Sequence, residues 1–391
     1  MPIANRRERA RCRELLAGMG LDVPLDVLVA NLSPAVRAGI AIARATRLLQ
    51  DHAERFIFIL DQPTAYLSSE ASERVMSLMR AVARSGSAVV FISHRLSEVL
   101  SVADRITVLR DGQVADTFTP REGDHRRIIA AMLGRALEQY YPDRGEAPEA
   151  GPVLQVRDLT GSRLQGVSFQ ASPGEVLGFA GLVGMGHEEI PYILGGNARA
   201  RGGRAELAGR DLLPLPLSER IRLGVVLVPG NRQRDGAWLA ATAQENIALP
   251  TLLRLPMPFP LRLSREHRYA VSQMNLFRVR PIVPDRKVSL FSGGNQQKIV
   301  LAKWMSTTPR VLLLDEPTQG VDAGAKFEVL RIIVDAARSG SAVLIFSGDY
   351  EQLANVCHRV LILAHGRIVA ELAGSEVTES AIVHAAQGAS G

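Results

Sequence analysis

The chain has 391 residues, 47% hydrophobic and 22% charged, with a formal net charge of +6. That is room for two or three domains with cores of their own, and the composition of a globular protein, not of a disordered or fibrous one. Cys12 and Cys357 are the only cysteines, which excludes a disulfide framework or a cysteine zinc site and fits a reducing compartment.

No apolar run approaches the roughly 18–20 residues needed to cross a bilayer. The arginine-rich amino terminus has no apolar segment behind it, so it does not read as a secretory signal, and the expected location is the cytoplasm. The basic charges are scattered and single out neither nucleic acid nor an anionic membrane surface.

Arg6, Arg7, Arg9, Arg11 and Arg13 are interleaved with Glu8, Glu14, Leu15 and Leu16, a pattern that suits a solvated helix face or a binding patch. Residues 56–60 form a short continuous apolar run, as expected of a strand buried on both faces of a parallel sheet, and lead into Asp61-Gln62-Pro63-Thr64. Val75, Met76, Met79 and Val82 then lie at helical spacing, a Ser-Gly break follows, and 88–92 reads as a second strand. A turn-rich polar stretch, 141–152, has the composition of a linker. The expected organisation is a first unit over 1–140, this linker, and a second unit over 153–391.

In the second unit, apolar 176–180 reads as a strand, followed by Gly181-Leu-Val-Gly184-Met-Gly186-His187-Glu188 and the start of a helix. Strand, glycine-rich turn and helix are the context of a phosphate-cradling loop, whose backbone N–H groups converge on an anion. The spacing Gly181-x4-Gly186 fits. A working loop continues with Lys, for the β/γ-phosphates, and Ser/Thr, for Mg²⁺, whereas this chain has a mostly neutral His187 and an anionic Glu188. A glycine-rich turn without ligand is the alternative. Further on, Ser264 is a candidate N-cap for a helix with Ala270, Met274 and Phe277 on one face, favoured as ordinary core residues.

Leu290-Phe-Ser292-Gly293-Gly294-Asn295-Gln296-Gln297-Lys298 then opens an apolar helix, and 311–314 reads as a strand ending in Asp315-Glu316-Pro317-Thr318. This repeats the first unit. The two Asp residues, 61 and 315, are 254 positions apart, and Ala83-Arg-Ser-Gly-Ser-Ala-Val89 recurs letter for letter as Ala337-Arg-Ser-Gly-Ser-Ala-Val343. The chain is a duplication of strand–helix–strand units of an open α/β sheet.

Ser-Gly-Gly at a helix start, ahead of an apolar strand ending in Asp-Glu-Pro-Thr, resembles the cassette of ABC transporter ATPases. The variant Ser292–Lys298 resembles the tandem two-cassette subunits of ribose- and galactose-type sugar importers, and the resemblance covers nearly the whole chain. It implies an α/β fold of two P-loop NTPase-type cassettes, with parallel-sheet cores and helical subdomains, the first cassette incomplete. It implies ATP and Mg²⁺ as cofactors. The implied partners are two transmembrane permease subunits and, through them, a sugar-binding protein, with peripheral membrane contact only and no nucleic acid.

Residue by residue, the resemblance implies a nucleotide cradle at Gly181, Gly184, Gly186 and His187. Ser292, Gly293, Gly294 and Gln296 would present hydroxyl and N–H groups to the γ-phosphate held by the opposite cassette. Asp315 and Asp61 would position Mg²⁺, and Glu316 would polarise the attacking water. Asp322, aligned with Ser68, would lie where the family communicates between cassettes. His94 fits the switch histidine; its counterpart is Gly348. Gln62 stands for the general-base Glu and can orient a water but not take its proton. Around the first signature turn, Pro34 removes a donor and Ala35 adds a methyl. Gly230 breaks the pattern of the glutamine loop expected near 225–232.

About 160 residues of the second unit precede Asp315, against 60 before Asp61. The phosphate loop the repeat requires is missing ahead of Asp61, and Met1 is expected to be a late start within a longer chain. The resemblance therefore implies a carbohydrate-importer ATP-binding subunit whose hydrolysis is slow or lost. A nucleotide-binding pseudo-ATPase scaffold and a soluble ABC protein of translation or DNA repair are the alternatives.

Overall fold

A computed structural model describes residues 5–18, 23–29, 32, 36–37, 39–44, 56–64, 69–84, 86–93, 96–110, 112–121, 124–133, 141–182, 184–252 and 263–388. The expectations for Ser33, Pro34, Ala35, Ser68 and His94 lie outside them. The chain divides into two compact units, Met1–Leu137 and Glu138–Gly391.

The second unit is built on a six-stranded sheet. Its order is β10 (Val225–Val228), β11 (Val311–Asp315), β12 (Ala342–Phe346), β7 (Val176–Ala180), β13 (Arg359–Ala364) and β14 (Arg367–Ala373). All neighbours are parallel except β13 and β14. Because side chains alternate along a strand, the sheet feeds two cores. Leu312, Leu314, Val343 and Ile345 face the helices Gly293–Met305 and Ala323–Arg338. Val311, Leu313, Leu344 and Phe346 face the helix Glu189–Gly195 and a four-stranded antiparallel sheet, β6 (Gln165–Ala171), β5 (Leu154–Thr160), β8 (Gly202–Leu207) and β9 (Arg210–Asp211). Phe179 stacks on Phe346 at 4.4 Å between ring centroids. The continuous apolar run of β11 is thus buried on both faces, as the sequence implies.

The helices Ala243–Leu252 and Leu263–Leu276 pack against this core. Ala270, Met274 and Phe277 are buried in it, which is the core role expected of them. Ser264 lies inside the second of these helices and is not its cap. Residues 141–145 hold to the second unit, which qualifies their reading as a linker. Arg144 donates to the carbonyls of Ala354, Cys357 and Gly374, and Arg338 donates to that of Asp143.

The first unit pairs β1 (Ile57–Asp61) in parallel with β2 (Ala88–Ile92), beside a separate antiparallel hairpin of β3 (Ile106–Arg110) and β4 (Gln113–Phe118). Phe58 and Leu60 pack on Val75, Met79 and Val82 of the helix Ser69–Arg84. Burial of β1 on both faces is not what the structure has. Ile57, Ile59, Val90 and Ile92 are 68, 64, 45 and 48% exposed, while their counterparts at the 254 offset, Val311, Leu313, Leu344 and Phe346, are exposed by no more than 1%. An apolar run reports the strand and not its cover: in the second unit that cover is the helix 189–195 with the antiparallel sheet. In the helix Asn5–Gly18, Arg6, Arg7, Arg11 and Arg13 are exposed and Arg9 pairs with Asp26 at 2.6 Å, as on a solvated face.

The duplication reaches the fine geometry. The residue after each strand-end Asp has a left-handed backbone, φ 46° at Gln62 and 42° at Glu316. Each donates its N–H to the end of the neighbouring strand, at Ile92 and Phe346. Thr64 donates to the carboxylate of Glu98, and Thr318 to the amide oxygen of Gln352, again at the 254 offset.

Candidate functional site

Strand β7 is fully buried and delivers the glycine-rich loop to one end of the sheet. Gly181 leaves no room for a side chain, since an added Cβ would lie 2.7 Å from the Leu363 carbonyl oxygen. Gly184 and Gly186 have φ of 89° and 103°, the left-handed region that glycine enters without penalty. The loop is fastened by Gly366 N–H to the Met185 carbonyl at 2.9 Å and by Tyr350 hydroxyl to the Gly181 carbonyl at 3.2 Å.

The Glu188 carboxylate turns back into this loop. Its Oε1 accepts from the Gly184 amide at 2.6 Å and its Oε2 from the Gly186 amide at 3.1 Å. Burial pushes the carboxyl up, but the amides of Gly184, Glu188 and Gly186, with the His187 ring, hold it below its ordinary value. It is an anion at neutral pH. The His187 ring is buried, with no hydrogen-bond partner for Nδ1. Burial lowers its pKa against the pull of Glu188 and Asp315, so it is neutral at pH 7 and does not replace a lysine ammonium.

Asp315 ends β11 beside the loop. Its Oδ2 accepts from the Tyr192 hydroxyl at 2.7 Å and from the Gly230 amide at 3.2 Å. Gly230 follows from this approach, because a Cβ there would sit 2.8 Å from that same oxygen. Glu316 accepts from the Ser347 hydroxyl at 2.8 Å and the Gly348 amide at 2.6 Å. Burial raises both acids above their ordinary values, against these donors. Tyr192 and Ser347 are partners that motif reading does not find. Tyr192 has helix spacing from the loop as its only signal, and Ser347 directly precedes the switch position.

The signature residues form a second group. Ser292 is exposed and starts the helix Gly293–Met305, its Oγ accepting from the Asn295 amide at 2.9 Å. Gly293 and Gly294 are demanded by packing: added Cβ atoms would meet Arg232 Nη2 at 2.6 Å and Ala325 Cβ at 2.3 Å. Arg232 itself donates to the carbonyls of Gln319 and Gly320. Asp322 caps the helix Ala323–Arg338 through the Ala325 amide at 2.9 Å. Gln296 does not present itself to a ligand. It is buried, and its amide donates to the carbonyls of Val288 and Phe291, joining the helix to the turn before it. In the first unit, Asp61 and Gln62 are exposed at the end of β1.

Comparison with known proteins identifies the architecture. The family model for ABC transporters matches residues 164–319. The ribose import ATP-binding protein of Rubrobacter xylanophilus is 36% identical over 388 residues, spanning 99% of this chain and 77% of its own length. A putative ribose/galactose/methyl galactoside import ATP-binding protein of Rhizobium meliloti is 35% identical, spanning 97% and 75%. The crystal structure of a nucleotide-free ATP-binding cassette from an ABC transporter superposes with a TM-score of 0.51 at 19% identity, covering 60% of this chain and 96% of that one. At that identity it speaks for the fold alone.

The second unit's residues do not fit the nucleotide and Mg²⁺ of such a cassette. The loop amides at Gly184 and Gly186 already hold a carboxylate, the metal-binding hydroxyl is replaced by that same Glu188, and Oδ2 of Asp315 is engaged by Tyr192 and Gly230. In fold and in sequence along nearly its full length, the chain belongs to the ABC transporter family, among the ribose- and galactose-type import ATP-binding proteins.

Proposed function

We propose that this chain serves as the ATP-binding subunit of a carbohydrate importer and works with two transmembrane permease subunits and a sugar-binding protein. The observation that carries the reading is identity of 36% along 99% of the chain with a protein whose name is ribose import ATP-binding protein. No helix among the described residues is long and apolar enough to cross a membrane, which supports a peripheral subunit acting from the cytoplasmic side through its partners. Nucleotide chemistry in this chain is weak. Gln62 offers no general base, a loss of about 10²–10⁴-fold in rate, and the second unit lacks the loop's lysine and hydroxyl. Uptake of labelled ribose or galactose by cells with and without this gene tests the reading. Uptake that disappears on deletion and returns on re-expression supports it, and uptake indifferent to the gene overturns it.

A second reading is a pseudo-ATPase that organises its partners without turnover. Asp315 and Glu316, both satisfied by neighbouring donors, favour it. Phosphate release by the purified chain that is abolished in Asp61→Asn or Gln62→Ala eliminates this second reading.

A further inference from the structure

We propose that Glu188 is a built-in anion occupying the phosphate seat of the second unit, so that the glycine-rich loop holds a protein carboxylate in place of a nucleotide phosphate. The inference rests on reading residues 181–188 as a phosphate loop by descent, and it goes further in assigning one residue the role of excluding the ligand.

Three observations carry it. Both oxygens of Glu188 are placed on separate loop amides, Gly184 and Gly186, as two oxygens of a phosphate group would be. The loop is pinned in that shape from outside by Gly366 and Tyr350, so the seat is formed without a ligand. The neighbouring group that would normally attract a triphosphate is lost: the residue after Gly186 is a buried neutral imidazole whose Nδ1 lies 3.6 Å from Glu188 Oε2 and makes no hydrogen bond. An incoming phosphate must break two charge-assisted hydrogen bonds and then sit beside a displaced carboxylate of its own sign. Asp315 and Glu316 add further acidic side chains at the same end of the sheet, and the cation beside the loop is Arg163, whose Nη1 lies 3.3 Å from where a Cβ on Gly184 would sit.

The arrangement has a consequence for the fold's chemistry. The charge that nucleotide brings to a working loop is supplied here by the chain, and the second unit keeps a satisfied loop in the absence of ATP. Glu188 is thus a specificity-determining residue: it sets whether the second unit takes a phosphate at all.

The test uses the full chain, unaltered and as Glu188→Gln and Glu188→Thr, with MgATP as the probe. Binding is read by displacement of a fluorescent ATP analogue and by hydrogen exchange of the peptide spanning 181–188. In the unaltered chain we expect that peptide to be protected without nucleotide, with no further protection from ATP. In both variants its exchange accelerates, ATP restores protection, and binding is at least about tenfold tighter than in the unaltered chain, since a like charge has been removed from contact range. Glu188→Asp, which keeps the charge, stays with the unaltered chain in affinity.

ATP-induced protection of the loop in the unaltered chain overturns the proposal, and this arm needs no variant to fold. So does a Glu188→Thr chain with unchanged melting temperature and no gain in binding. Neither result bears on sugar uptake, so failure of the importer reading registers separately, as uptake that does not depend on the gene.

Discussion

The Tyr192 hydroxyl donates a 2.7 Å hydrogen bond to Oδ2 of Asp315, and the Gly230 amide donates to the same oxygen. A strand-end acid that the family resemblance assigns to Mg²⁺ is here held by protein donors, and burial keeps its pKa above the ordinary carboxylate value. Asp315→Asn keeps an oxygen for both donors and removes the buried charge. A carboxyl whose folded pKa lies above its unfolded one binds more protons when folded, so stability falls as pH rises from about the unfolded value. Asp315→Asn should therefore melt higher at pH 7, by roughly 2–4 °C, the shift that about 1 kcal/mol produces in a unit of this size. The difference should vanish below about pH 3, where Asp315 is protonated in both states. Thermal melts at the two pH values decide it; an equal or lower melting point at pH 7 refutes it.

Tyr192→Phe removes the donor and leaves Asp315 with the Gly230 amide. Hydrogen bonds to charged groups contribute about 1.5–3 kcal/mol, and a loss of that size is expected in urea unfolding followed by tryptophan fluorescence. Combining Tyr192→Phe with Asp315→Asn should cost less than the sum of the two, because the residues share one contact.

Gly230→Ala should destabilise by about 1–3 kcal/mol, the usual cost of overpacking, since the added Cβ meets Asp315 at 2.8 Å. The same substitution in an Asp315→Ala background should cost much less. Equal costs in both backgrounds would show that the close approach is not the cause.

The two units respond differently to matched truncations. Leu313→Ala removes a fully buried side chain and should cost about 2–5 kcal/mol. Ile59→Ala, its counterpart at the 254 offset, truncates a side chain that is 64% exposed and should change stability by under about 0.5 kcal/mol. Hydrogen exchange resolved by peptide assigns each effect to its unit.

Lys303 is buried with its ammonium 3.1 Å from the Gly236 carbonyl, and burial lowers its pKa to about 8 from 10.5. Between those values the unfolded chain binds more protons, so stability should rise with pH across the window. The advantage of Lys303→Met over the unaltered chain should be greatest below pH 8 and shrink toward pH 10.5. A difference that is flat with pH would contradict this.

Local patterns were sufficient for much of this. The strands 88–92, 176–180 and 311–314, the helical spacing of Val75, Met79 and Val82, and the duplication itself depend on sequence pattern, where periodicity and motif spacing operate. The glycine-rich loop and its departures at His187 and Glu188 were equally visible as letters. Three outcomes needed the folded chain. Glu188 reaches back onto Gly184 and Gly186, Gln296 turns inward to carbonyls of the preceding turn, and β1 exposes the face that β11 buries. Each depends on which groups the fold brings within a few ångströms, and on whether other elements cover a strand. Contact and burial also join residues far apart in the chain, as Tyr192 and Gly230 join Asp315, and no spacing rule encodes them.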